Sequence, residues 1–433
     1  MSKKKKVAPV VRPPTKRQLS RWQKQKRQQR IIFGIGMAII AAVVILIGSG
    51  VFFGWYVPVQ KPLGDVILEV GDTKFTVRYY IDSLKYQLED YFEGALQGQW
   101  YYALYYTDYI LDIIKNAEIM RQEAAKIGIV VSEEEIDFQL QGNRDIKKNA
   151  LRDLVRSTLL IQKLTDEYFT PQLSLSYEQR QVLAMLLESQ LQLDDVRAEL
   201  AEGLDFGDLA EEKSLDKYTQ SLRGDIGLRP QGVITYLFGS TAIGEAIFSQ
   251  EVGTLGQYED TEVSKNIGYW LVMVTDKDEE GIEVRISAIL LSSEEEALMV
   301  KARLDDGEEF DDLAREFSQI WDEEKQADLG WRAIYDSSEI AVADYIFDEE
   351  TELMVVSDPI LDTTAETTGG YWLFDVQSSE NLPLTGENLE IMINTLFTDW
   401  LTGVSEDAES RVTNYMDDDR AYWVVDYLTG ALG

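Results

Sequence analysis

Residues 31–60 contain no charged side chain, and the run "IIFGIGMAIIAAVVILIGSGVFFGWYV" inside them exceeds the roughly 20 apolar residues needed to cross a bilayer as a helix. Residues 31–57 are therefore expected to form a single transmembrane helix in contact with the lipid bilayer. The flanks set its direction. Residues 1–30 hold twelve Lys and Arg, including "KKKK" at Lys3 to Lys6, and no acid. This basic tail is expected to stay cytoplasmic, leaving an extracytoplasmic bulk, with Trp55 and Tyr56 at the outer interface. A cleaved signal peptide would have a shorter apolar core and an A-x-A-like site, and neither is present.

With twelve bases in the tail, the other 29 of the 41 face all 77 acids. A body so acidic repels nucleic acid, so no nucleic-acid partner is expected. The 433 residues include no Cys and no His. That excludes thiolate and imidazole nucleophiles or bases, His-containing triads, Cys/His zinc sites, disulfides and lipid-modified cysteines. The loop "DKDEEGIEVRIS" from Asp276 imitates a calcium-binding loop, but its twelfth position is Ser287 rather than the bidentate Glu that calcium needs. It is read as a linker, and neither metal nor cofactor is expected.

Beyond Pro58 and Pro62, "DVILEVGDTKFTV" reads as two short strands around a Gly71-Asp72 turn. Helical periodicity follows over 79–97 and 99–127, with Tyr102, Tyr105, Tyr106 and Tyr109 at the spacing of one buried face. Gly128 marks a helix stop. Ser132 with Glu135 has the form of a capping box, and 151–169 is amphipathic up to Pro171. The tail, 381–433, returns to helix, with Leu389, Ile393, Leu396, Phe397 and Trp400 in step. Its "RAYWVVDYL" is a candidate to pack on the N-terminal helices.

Between these ends the chain repeats itself. "QVLAMLLES" followed by "DDVRAELAEGLDFGDLAEEKS" parallels "VRISAILLS" followed by "ALMVKARLDDGEEFDDLAREFS". Then come "GDIG" at Gly224 or "ADLG" at Ala327, an "AIF" or "YIF" helix, and a closing strand, "GYWLVMV" at Gly268 or "GYWLFDV" at Gly370. Gly203 and Gly307 stand where the first helix of each copy should end. Each copy thus reads as a small α+β unit of about 100 residues.

This ordered set resembles the parvulin family of peptidyl-prolyl cis-trans isomerases, across 177–276 and more loosely across 283–379. "VGDTKFTVRYYIDSLKYQL" with "EIMRQEAAKIGIVVSEEEID" resembles the helical chaperone domain of SurA/PrsA-type foldases, giving such a domain over 65–170. The fold class implied is α+β: one transmembrane helix, a helical chaperone domain, two parvulin-like domains and a helical C-terminal segment. The resemblance places Met185 and Ala288 where parvulins carry a first-strand His, and Trp270 and Trp372 where they carry the His after "G-Y". Asp216 falls at the family's Asp or Cys, a position held by Ile320 in the second copy. Val233 and Ile243, with Val342 in the second copy, fall near the residues that cradle the substrate proline. Phe248 and Phe347 complete the apolar peptide-binding set.

Prolyl isomerisation must lower a barrier of about 18–20 kcal/mol to rotation about the amide, by binding the twisted amide better than the planar one. Without the His pair, the polar network that would position Asp216 and the carbonyl is gone. The resemblance therefore implies a membrane-anchored factor that holds unfolded or newly exported polypeptides. Two other readings stay open: an isomerase using Asp216, and a scaffold for one fixed membrane partner.

Overall fold

In a computed structural model the described residues are 39–92, 104–140, 149–279, 282–334 and 341–431, with Lys24, Lys26, Phe33 and Met37. They form two units, Met1–Tyr168 with Phe397–Gly433, and Phe169–Leu396. Most of the basic tail and residues 93–103, Tyr102 among them, lie outside the described residues.

The first unit opens on α1 (Ile39–Gly64), whose most apolar window has no buried residue and which is long and apolar enough to cross a membrane. It runs past the expected end at residue 57. Pro58 has no N–H to give the carbonyl four residues back, and the helix widens into a π-helical stretch over Phe52–Gln60 rather than stopping. A hairpin of β1 (Val66–Val70) and β2 (Thr73–Thr76) turns at Gly71, whose φ of 59° suits glycine. Helices α2 (Val77–Phe92), α3 (Thr107–Lys126), α4 (Glu133–Gln139) and α5 (Asn149–Lys163) follow. Ser132 and Glu135 form the capping box at the start of α4. The tyrosine stripe is not the buried face its spacing suggested: Tyr106 packs partly on the core, but Tyr105 is 81% exposed and Tyr109 is also exposed. The core at this point is instead built from Ile110, Leu111 and Ile114 of the same helix.

In the second unit the repeat takes shape. Its first copy supplies β3 (Tyr177–Leu187), α6 (Gln190–Ala201), α7 (Phe206–Lys213), α8 (Lys217–Ser221), β4 (Asp225–Pro230), α9 (Gln231–Phe238), α10 (Thr241–Ser249) and β5 (Leu255–Lys277). The second supplies β6 (Glu283–Leu291), α11 (Glu294–Asp305), α12 (Phe310–Phe317), β7 (Asp328–Ala333), α13 (Ala343–Ile346) and β8 (Ile360–Leu382). Gly203 and Gly307 follow the first helices with φ of 96° and 93°. The serines ending α7 and α12 latch helix to sheet alike. Ser214 Oγ accepts from Leu186 N at 3.1 Å, and Ser318 Oγ from Leu290 N at 3.2 Å.

All six strands form one sheet, in the order β4-β3-β8-β5-β6-β7. This order corrects the expectation of two self-contained units at 177–276 and 283–379. The first strand β3 does not pair with "GYWLVMV" of its own copy. It pairs with the closing strand of the other, Leu186 opposite Trp372 and Ala184 opposite Phe374. Reciprocally, β6 pairs with residues 269–277, Leu290 opposite Trp270. The two 23-residue strands β5 and β8 run antiparallel across the middle. Each could have been a hairpin, but both are opened out and traded. The first lobe thus combines β3 to α10 with 255–260 of β5 and 370–382 of β8. The second combines β6 to α13 with 268–277 of β5 and 360–362 of β8.

Side-chain size explains the exchange. Gly256 lies opposite Phe374, and a Cβ built on Gly256 would sit 2.2 Å from Phe374 Cε2. At the matching place in the second lobe Ser357 faces Val272, its N–H donating to Val272 O at 2.8 Å while Val272 N donates to Ser357 Oγ at 3.0 Å. Pairing within each copy would set Gly256 against Val272, leaving a gap, and Ser357 against Phe374, forcing an overlap.

The division between the units falls inside α14 (Gly386–Ala408). Asn388 near its start is buried in the second unit, donating to Gln179 Oε1 at 3.0 Å and Leu228 O at 2.9 Å. After it the chain is not wholly helical: β9 (Val412–Asn414) pairs with β1. Helix α15 (Asp418–Thr429) then buries Val424 in the core of β1, β2, α2 and α3. Both chain ends build the first unit, as expected for "RAYWVVDYL".

Candidate functional site

The first lobe holds a cleft of about 720 Å³ lined by Asp216, Leu237, Phe238, Tyr258, Asp260, Glu262, Val263 and Trp372. Its floor is full. Trp372 is 1% exposed, with its ring 4.5 Å from that of Phe238, over a cluster containing Ile226, Ile234, Ile243 and Ile247. Its indole N–H donates to Asp260 Oδ2 at 3.4 Å. Asp260 is itself held by the chain, its Oδ1 accepting from Glu262 N and Val263 N at 3.1 Å each.

The second lobe repeats this device. The Trp270 indole donates to Asp362 Oδ2 at 3.0 Å, and Asp362 Oδ1 accepts from Thr364 N at 2.8 Å and Ala365 N at 3.1 Å. Burial pushes the Asp362 carboxyl up, but the Trp270 indole, the Thr364 hydroxyl and the two backbone N–H groups outweigh it and hold the carboxyl below its usual range. Asp260 and Asp362 each lie eight residues before the glycine of the GYW strand, in the segment where β5 or β8 passes from one lobe to the other. Neither Asp was singled out from the sequence. The signal was there, in "DTEVSKNIGYW" against "DTTAETTGGYW".

The expected site residues are brought together only in part. Trp372 and Ile243 lie in the first-lobe cluster, with Phe248 packed against it. The Arg180 guanidinium covers the Phe248 ring at 4.9 Å from its centroid. Val233 is buried but absent from that cluster, and its neighbour Ile234 stands there instead. Met185 is a correction. It packs with Leu193, Val196, Phe206 and Leu373 on the helix-covered opposite face of the sheet. The residue on the cleft side is Ala184, and one step along a strand reverses the face. Trp270, Ala288, Val342 and Phe347 do share one cluster, in the second lobe. Trp270 and Trp372 have exchanged lobes relative to their copies. Met185 and Trp270 therefore do not share a site.

Asp216 lines the first-lobe cleft and also caps α8, its Oδ1 accepting from Thr219 N at 2.7 Å. The cap accounts for the residue by itself. Its counterpart Ile320 is exposed. The calcium-like loop closes the turn between β5 and β6, with Asp278 Oδ1 accepting from Ile282 N at 2.8 Å.

A family model described as the SurA-like N-terminal domain matches residues 21–183. The foldase protein PrsA of Caldanaerobacter subterraneus is 25% identical over 268 residues, covering 56% of this chain and 84% of that protein. The parvulin-like PPIase of Rickettsia typhi is 29% identical over 174 residues, which is 39% of this chain and 58% of that one. Among solved structures, the PrsA peptidylprolyl isomerase of Bacillus cereus aligns over 85% of this chain and 99% of its own, at 10% identity and a TM-score of 0.28. Over residues 21–183 the chain is thus similar to the SurA-like N-terminal domain, and over part of its length it is similar to a PrsA foldase and to parvulin-like peptidyl-prolyl isomerases.

Proposed function

We propose that the protein is a membrane-anchored extracytoplasmic folding factor that holds unfolded or newly exported polypeptides rather than turning over their prolyl bonds. The observation that carries this reading is the filled floor of the first-lobe cleft. The position matching the parvulin His holds Trp372, sealed beneath Phe238, so a proline ring has no pocket to enter there. The rest of the lining mixes Leu237, Tyr258 and Val263 with Asp216, Ser240, Thr241, Thr261, Glu262 and Ser264. Such a surface suits sequence-tolerant contact with a peptide. The basic tail before α1 orients the body outward, and its excess of acids keeps it soluble and apart from its own copies.

The test is a paired measurement on the full chain in detergent micelles: suppression of aggregation of an unfolded client at stoichiometric amounts, and catalysis of Xaa-Pro isomerisation. Suppression without catalysis is expected. Failure to slow aggregation sinks the holding reading, and a rate above the uncatalysed one revives Asp216 as a catalytic residue. Crosslinking in cells separates a holder, with many clients, from a scaffold with one dominant partner.

A further inference from the structure

We propose that the C-terminal helix α15 is a membrane-surface element, seated with its aromatic residues in the headgroup layer beside the outer end of α1. The inference rests on the reading of α1 as a span and adds a second site of lipid contact at the far end of the chain. It begins with a backbone group. The carbonyl of Pro58 would normally accept from the N–H four residues on, but that residue is Pro62, which has none. The Trp423 indole of α15 donates to it instead, at 2.9 Å. Pro62 thus leaves the Pro58 carbonyl open, and a side chain from far along the sequence fills it.

This bond fixes depth. Pro58 lies three residues beyond Trp55, roughly 4–5 Å along a helix axis, and the interfacial layer outside the hydrocarbon is about 5–7 Å thick on each side. Trp423 therefore shares the slab occupied by Trp55, which is 51% exposed, and Tyr56. The Trp423 ring stacks on Tyr427 at 5.4 Å, and Tyr422 beside it is 60% exposed. Val424 is buried in the core of the unit and Trp423 and Tyr427 are half-buried against it, so α15 cannot roll to hide the exposed Tyr422 ring without giving up its own packing. The helix carries Asp418, Asp419 and Asp426 against Arg420, so attraction to anionic lipid does not hold it there. Aromatic partition does, as rings with an apolar body and a polar tip prefer this layer.

The absence of Cys makes the test clean. Tyr422→Cys in the full chain, labelled with an environment-sensitive dye and placed in phosphatidylcholine vesicles, should show blue-shifted emission that a quencher at the lipid headgroup largely removes. The signal should be the same at high salt and when phosphatidylglycerol is added. Ile47→Cys serves as the reference, quenched only by a quencher deep in the acyl chains. Water-like emission at position 422 beside a deeply quenched label at 47 overturns the proposal and leaves the span intact. Loss of quenching at both positions removes the span and the proposal with it. A salt-sensitive signal at 422 overturns the aromatic mechanism. Trp423→Phe keeps a ring but cannot donate to Pro58, and should weaken headgroup quenching at 422 while leaving that at 47 unchanged.

Discussion

Placing a serine at Gly256 tests the strand exchange, because the residue it would strike depends on which closing strand lies opposite. In the exchanged sheet the new Cβ would fall 2.2 Å from Phe374 Cε2 and 2.6 Å from Cζ. Ring and backbone would have to move, an overpacking cost of about 1–3 kcal/mol. Phe374→Val alone empties a fully buried site and should cost about 2–3 kcal/mol. Together the two changes recreate the Ser/Val pair already present as Ser357 and Val272, so the clash disappears. The double variant should be less destabilised than the sum by roughly 1–2 kcal/mol, well outside the few tenths expected of independent sites. The assay is urea unfolding of the full chain in micelles, with amide exchange on peptides covering β3 and β8 to locate the effect. Additive effects at Gly256 and Phe374, with coupling instead between Gly256→Ser and a substitution at Val272, would mean that each copy closes on its own strand.

Other perturbations read different parts of the molecule. Lys265 is buried near Glu188 and Glu296, donates to the Gly369 carbonyl, and is pushed by burial down to about 8. Between pH 8 and its unfolded value the unfolded chain binds the extra proton, so stability should rise with pH there by about 2–3 kcal/mol. Above the ordinary tyrosine range the trend should reverse, because burial and Glu188 hold the Tyr269 phenol protonated in the fold. Urea midpoints against pH check this, and Lys265→Met should flatten the rise. Glu118 is buried and accepts from Thr73 Oγ1 at 2.6 Å, from Arg121 and from Gln122. Glu118→Gln should cost the first unit about 1–2 kcal/mol, discounted because Arg121 is half exposed, and a thermal melt would show it. Met354 sits at φ 61°, its N–H bonded to Val274 O as Gly253 bonds to Val376 O in the first lobe. Met354→Gly should therefore be neutral or stabilising by about 0.5–1 kcal/mol, where an ordinary surface Met→Gly would destabilise. Restoring histidines at Ala184 and Trp372, which share the first lobe, should do more for isomerase activity than the same change at Met185 and Trp270. Equal rates from the two pairs would refute this assignment of the cleft.

The local signals in the chain were readable because each is decided within a few residues. Ser132 with Glu135, Gly203 and Gly307 need only their own neighbours. The strand partners were not readable the same way, since "GYWLVMV" and "GYWLFDV" present the same pattern to β3. Only the pairing of Gly256 with Phe374 and of Ser357 with Val272 separates them, and those contacts span about a hundred residues. The error at Met185 has a different origin. An apolar strand buried on both faces shows no alternation, so nothing in "VLAMLL" marks which residues face the cleft. The exposed Tyr105 and Tyr109 show the limit of helical spacing, which finds a face but not what covers it.

The exchange also sets a schedule. A chain leaves the ribosome from its N-terminus, and β3 is made about two hundred residues before the strand it pairs with. Until residue 382 exists, β3 has β4 on one side and no native partner on the other. Only when the second copy is complete can β8 fill that side. Folding of this unit is thus paced by the longest pairing in the sheet, with the slowness that non-local contacts bring. A protein proposed to hold unfinished chains must pass through a long unfinished state itself.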